Sequence, residues 1–376
     1  MSDKPTTTNT LEAIRATGTV LIADTASFRE ISRFHPSEGT TNPSLLYAAA
    51  QQQQQAYSTF LDRTVQYARS LSPVSSPSEC LSLAVEFLSV QFGTEIYKIT
   101  GRVATEVDVS YSFMSEKTVE AALRVIELYA KEGVPKDAVR IKISATWEGI
   151  QAARILERDY GVSVLVTIVF GMVQAITAAE AGVSCIAPYV GRIDDWHKAR
   201  GFQGADMGVQ RVKDMQNYLR KYEFRTKVMA ASFRNIEQVK RLAGLDLLTV
   251  APGILDQLEK CTDDAPPQLT VESAKAAELP ELSYINDEGA FRWAFNWDAC
   301  AVEKSAEAMR LFAEDTDRLK ALLASMITNG RSVDVEYHII IDPGLPFWCH
   351  HHVFEKDDII NCLSETIMYL APNAIG

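Results

Sequence analysis

Eight short runs rich in Val, Ile and Thr recur along the chain, at residues 20–24, 39–44, 102–109, 139–144, 163–170, 185–191, 226–232 and 246–252. Amphipathic segments of helical length separate many of them, at 117–132, 147–160, 173–181, 208–221 and 235–243. Apolar strands that alternate with helices define a parallel sheet whose faces are both covered. Eight such strands are the number that closes a barrel, so the expected fold is α/β, a (β/α)8 TIM barrel. Gly133, Gly161, Gly182 and Gly244 stand at helix–strand junctions, where a left-handed residue ends a helix. The rival, a doubly wound open sheet, lacks the G-x-G-x-x-G expected after the first strand of a dinucleotide-binding version.

A chain of 376 residues has room for one large domain or two medium ones. No linker interrupts the alternation. The glutamine run Gln51 to Gln55 reads as the exposed start of a helix, 72–78 as a loop between two helices and 263–269 as a turn. None of these segments marks a domain boundary. With 37 Lys plus Arg against 49 Asp plus Glu, the net charge is −12, which argues against nucleic acid and anionic membranes as partners. A local pair of arginines still suffices for an anionic small substrate. Six scattered cysteines without a C-x-x-C pair read as reduced thiols in the cytoplasm. The polar N-terminus does not resemble a secretory signal, and the apolar stretch 164–173 is too short to span a bilayer.

In such a barrel the active site lies at the C-terminal ends of the strands, so polar residues there are the informative ones. Lys142 sits between Ile141 and Ile143, and period-two alternation turns the isoleucines outward and the lysine inward. Burial is expected to lower its pKa and free a nucleophilic amine for Schiff-base chemistry. The alternative is a structural ion pair with Glu106 or Asp24. Those two carboxylates face the same mouth from different strands and suit acid/base work, although Asp24, followed by Thr25 and Ser27, would also suit a helix cap. Asn42 lies in the second run and Thr167 in the fifth, and Tyr189 ends the sixth. Arg192, Ser232 and Arg234 cluster at strand ends six and seven; they suit a phosphate, the alternative being surface ion pairs.

These residues stand in segments that resemble the transaldolases. The matching stretches are Ala23-Asp-Thr25, Thr40-Thr-Asn-Pro-Ser44, Gly101-Arg-Val-Ala-Thr-Glu-Val-Asp108, Ile141-Lys-Ile-Ser144 and Thr146-Trp-Glu-Gly-Ile150. They continue in order through Ala179-Glu-Ala-Gly-Val183, Val190-Gly-Arg-Ile193, Ala231-Ser-Phe-Arg-Asn235 and Leu248-Thr-Val-Ala-Pro252. The region from Phe291 to Lys304 looks like the family's closing helix. The resemblance implies a transferase without a cofactor that moves a dihydroxyacetone unit from a ketose phosphate to an aldose phosphate. It implies sugar-phosphate substrates, as in the pentose phosphate pathway, and a homodimer. Lys142 would form the Schiff base and Asp24 would deprotonate the C4 hydroxyl. Glu106 and Thr167 would handle the water of imine formation and hydrolysis. Asn42 would hold a hydroxyl of the three-carbon unit, and Arg192, Ser232 and Arg234 would bind the phosphate. Retention of Asp24, Glu106, Lys142 and Thr167 together argues against a non-catalytic barrel kept for binding.

Three positions depart from the pattern. Transaldolases usually carry Asn, Ser and Phe where this chain has Leu165, Ala187 and Tyr189. All three replacements look like those of the fructose-6-phosphate aldolases, which share the barrel and the lysine and release free dihydroxyacetone. Those enzymes have Gln where this chain keeps Glu106, and they are much shorter. A hybrid site of this kind implies altered donor specificity, or aldolase activity beside transfer.

Beyond residue 330 the resemblance stops, which implies one barrel over 1–330 and an extension over 331–376. His338, His350, His351 and His352 gather there with Cys349 and Asp342. No H-x-x-x-H spacing is present and adjacent histidines rarely point the same way, so no metal site is assigned. The segment reads as a tail packed on the barrel or on a neighbouring subunit, or as a lid over the mouth.

Overall fold

In the computed structural model, which describes residues 9–51, 55–71 and 75–329, eight parallel strands close into a barrel in sequence order. They are β1 (Val20–Asp24), β2 (Gly39–Thr40), β3 (Val103–Glu106), β4 (Val139–Ser144), β5 (Ser163–Val169), β6 (Cys185–Pro188), β7 (Lys227–Ala230) and β8 (Leu247–Val250). Pairing of β1 with β8 completes the ring. The expected barrel is therefore observed, with strand ends trimmed where the chain leaves the ladder toward the mouth. The 331–376 extension and its histidines lie outside the described residues.

Alternation sorts the side chains into two layers. Ile141 and Ile143 join Val164, Val166, Ile186 and Val228 in the apolar layer between sheet and helices. Ile22, Ala104, Leu165, Cys185, Met229 and Leu247 fill the barrel interior. All six residues of β4 are buried, among them two cations. Arg140, near the N-terminal end, bonds both oxygens of buried Glu38 at 3.1 and 2.9 Å. It plugs the barrel floor, whereas Lys142, two residues on, faces the mouth.

The junction glycines behave as expected. Gly133, Gly161, Gly182 and Gly244 all have positive φ, between 58 and 90°. The helix Trp147–Tyr160 has the expected bounds, closed at its start by Thr146 and at its end by Gly161. The glutamine run does not simply open a helix: Gln51 ends the helix Pro43–Gln51 and Gln55 begins the helix Gln55–Leu71. With the helix Pro77–Thr100, three helices thus stand between β2 and β3. A third apolar cluster, including Leu46, Tyr57, Leu88, Phe92 and Leu323, joins them to the last described helix, Ala299–Asn329. Its 31 residues span about 45 Å.

Candidate active site

The C-terminal ends of the strands surround a cavity of about 280 Å³, lined among others by Asp24, Asn42, Lys142, Thr167, Tyr189 and Arg192. Ser232, Arg234, Leu165 and Ala187 line it too, and Phe312 of the helix Ala299–Asn329 faces it. Apart from Glu106, every residue singled out from the sequence lines this space.

Register brings the charged groups together. Glu106 of β3 and Leu165 of β5 are the Cα partners of Lys142, so all three side chains share the interior face. The Lys142 ammonium is 3.2 Å from Glu106 Oε2 and donates to the Thr41 carbonyl at 2.9 Å. Both side chains are nearly fully buried, at 7% and 2% exposed. Asp24 accepts a hydrogen bond from Thr40 Oγ1 at 3.1 Å. It caps no helix among the described residues.

The expected fall of the Lys142 pKa does not occur. Burial does oppose its charge, but Glu106, Tyr189 and Asp24 outweigh that and hold the amine above its ordinary value. Burial also raises Glu106 and Asp24, against the pull of Lys142. Desolvation penalises each charge in the pair, which narrows the gap between the ion pair and its neutral amine–acid form. The geometry thus provides the lysine with a proton acceptor at contact distance.

Tyr189 and Arg192 lie just past β6 rather than in it. Tyr189 makes an isolated bridge with Ala231, and its hydroxyl is 3.1 Å from Thr167 Oγ1. Phe170 meets the ring edge-on, and the Arg192 guanidinium lies 5.5 Å from its centroid. Burial pushes the phenol up, so it stays protonated and able to donate. Arg192 lies in the first turn of the helix Val190–Ala199, and its buried Nη1 has no hydrogen-bond partner among the described residues. A buried guanidinium nitrogen without an acceptor suits an incoming anion.

Ser232 and Arg234 follow β7. Ser232 has φ of 61°, uncommon for a residue with a side chain. Arg234 Nη1 reaches its hydroxyl at 3.3 Å, while Nε and Nη2 grip Asp195 at 2.9 and 2.7 Å. A Cβ at Gly191 would fall 2.4 Å from the Ser232 carbonyl, so only glycine lets these two loops meet. Asn42 lies two residues beyond β2, not within it; its Oδ1 caps the helix Pro43–Gln51 through the Leu45 N–H at 3.0 Å. Asn42 also lines the cavity.

Sequence reasoning missed Gln174. Its fully buried side chain accepts from the Phe170 and Gly171 N–H groups at 2.9 and 3.0 Å. It donates to the carbonyls of Ala145 and Ile168 and to Ser305 at 3.0, 3.2 and 3.3 Å. Ile168 holds φ of 61°, strained for a β-branched residue, where the β5–β6 register slips. Gln174 therefore clamps the bulge that follows Thr167. A Gln within an apolar helical run was the available signal.

A closed (β/α)8 barrel with a buried lysine beside a carboxylate, and arginines across the same mouth, defines a class: barrel enzymes equipped for lysine Schiff-base chemistry on anionic substrates. Residues 21–323 match the family described as Transaldolase/Fructose-6-phosphate aldolase, and the chain belongs to that family. It is 46% identical over 324 residues to the transaldolase of Kluyveromyces lactis, covering 85% of this chain and 96% of that protein. The transaldolase of Saccharomyces cerevisiae is 45% identical over 325 residues, with the same two shares. That of Sus scrofa is 44% identical over 311 residues, covering 81% of this chain and 90% of the relative. The chain is a transferase of the transaldolase kind.

Proposed function

We propose that this enzyme transfers a dihydroxyacetone unit from a ketose phosphate to an aldose phosphate through a Schiff base on Lys142. The observation that carries the reading is the Lys142 amine, buried in the cavity wall 3.2 Å from a carboxylate. Lys142 passes a proton to Glu106 and attacks the ketone carbonyl. The carbinolamine loses its hydroxyl as water, with the proton returned by Glu106 and the water oriented by Thr167 and Tyr189. Asp24 takes the proton of the C4 hydroxyl, the C3–C4 bond breaks and an aldose phosphate leaves. The remaining enamine attacks an acceptor aldehyde, and the steps reverse. Asn42 holds a hydroxyl of the three-carbon unit. Arg192, Ser232 and Arg234 bind the phosphate, the unpartnered Arg192 nitrogen supplying the strongest pull. Leu165 and Ala187 form an apolar wall against the donor. The catalytic unit is the 1–330 barrel. The protein works in the cytoplasm as a homodimer; light scattering tests the second point.

Borohydride reduction with fructose 6-phosphate tests the chemistry: mass spectrometry should find the adduct on Lys142, and an unmodified lysine would refute it. A second reading, aldolase activity with free dihydroxyacetone as product, is favoured by the Tyr189 hydroxyl at Thr167. A phenol near the lysine can protonate the enamine and end the cycle without an acceptor. Tyr189→Phe should then cut dihydroxyacetone release about tenfold while erythrose-4-phosphate-dependent transfer persists. Wild-type enzyme that releases none would exclude the aldolase.

A further inference from the structure

A second, much smaller cavity of about 30 Å³ lies behind Glu106, among the β2 and β3 ends and the helices Pro43–Gln51, Pro77–Thr100 and Ala299–Asn329. Glu106 and Asn42 form its front; Ser89, Thr105, Thr316 and Glu86 lie around it. Asn42 alone lines both this space and the larger cavity. The rear cavity has room for one or two water molecules. Its polar rim is short of donors toward the carboxylate. Apart from the Lys142 ammonium 3.2 Å from Oε2, the Glu106 oxygens have no polar partner among the described residues, although the side chain is only 2% exposed. Ser89 and Thr316 give their protons to the Val85 and Phe312 carbonyls, each at 2.8 Å, so their oxygens remain free to accept. Glu86 is held by Arg124, through Nε at 3.1 Å and Nη2 at 2.8 Å.

Lys142 compensates Oε2 only; a buried carboxylate oxygen with no donor is costly, and a water in this space relieves Oε1 by donating one proton to it and the other to Ser89 or Thr316. The proposed chemistry needs such a station. Imine formation expels one water beside Lys142 while a sugar phosphate occupies the front cavity, and hydrolysis calls one back. We propose that the rear cavity is a water site that receives the water expelled during imine formation and returns it for hydrolysis, with Ser89 and Thr316 as positioning residues. As the carbinolamine C–O bond breaks, the hydroxyl, oriented by Thr167 and Tyr189, takes a proton from the Glu106 acid and then moves behind it as water. In hydrolysis Glu106 takes a proton from that water and its oxygen attacks the imine carbon. The inference rests on the Schiff-base reading above.

The test mixes full-length enzyme rapidly with fructose 6-phosphate, quenches with borohydride at timed intervals and quantifies the Lys142 adduct by mass spectrometry. Ser89→Val fills the space with methyl groups and should slow the approach to the final adduct level about tenfold. The final level and the donor KM should stay within about twofold, because Ser89 lines the rear cavity and not the front cavity with its phosphate site. Thr316→Val keeps volume but removes an acceptor, and should slow the approach by about threefold. A folded Ser89→Val enzyme with the wild-type approach rate overturns the inference. If that variant does not fold, a wild-type rate in Thr316→Val overturns it. An adduct missing from the wild type as well overturns the Schiff-base reading, and the inference with it.

Discussion

Lys142 shows how misleading burial alone is as a guide to a side chain's charge. Desolvation pushes the amine down, yet the buried acids beside it push harder and the net direction is up. Glu106→Gln removes the largest of those upward pulls. The Lys142 pKa should then fall, so the rising acid limb of kcat/KM should move to lower pH. The maximum rate should drop by about a hundredfold, because the amide cannot take the lysine's proton. A pH–rate profile checks both effects. A limb that stays put would mean that another group sets it.

At the scale of the element, β4 does two unrelated things with one alternation. Arg140 and Lys142 both point inward; the first is spent on Glu38 at the floor and the second faces the mouth. Arg140→Met should destabilise the fold by about 3 kcal/mol, since it strands a buried carboxylate, while a folded remainder keeps its Lys142 chemistry. Urea unfolding and borohydride trapping measure the two halves. This strand was legible: Ile141 and Ile143 announce a buried outer face, and a lysine between them must point inward. β5 was legible only in part. Its apolar run was evident, but the slip that gives Ile168 a left-handed backbone depends on Gln174, which ties the strand end to Ala145 and Ser305, far off in the chain. Asn42 was misread for a similar reason. Its strand is two residues long, and the residues beyond belong to a helix start whose geometry three packed helices decide. The pull on Lys142 could not be read either, because it needs the register that sets Glu106 opposite it.

Across the whole molecule, closure is shared between distant segments. β1 pairs with β8, and Thr10 reaches Cys261 and Asp263 by hydrogen bonds at 2.8 Å each. The helix Ala299–Asn329 then lays Phe312 on the cavity and Ser305 on Gln174. A chain ending at residue 298 should therefore fail to form the Lys142 adduct, whereas one ending at 329 should form it. Trapping both fragments under the same conditions checks the pair.

The position of that last helix also has a temporal consequence. A ribosome releases the strands in order, and the eight of them have emerged well before residues 299–329 do. Until then the lysine stands in a mouth with no roof, open to water and short of the residue that steadies Gln174. Competence arrives late in synthesis, so an interrupted or stalled chain holds its reactive amine without the enclosure that would let it capture a sugar phosphate.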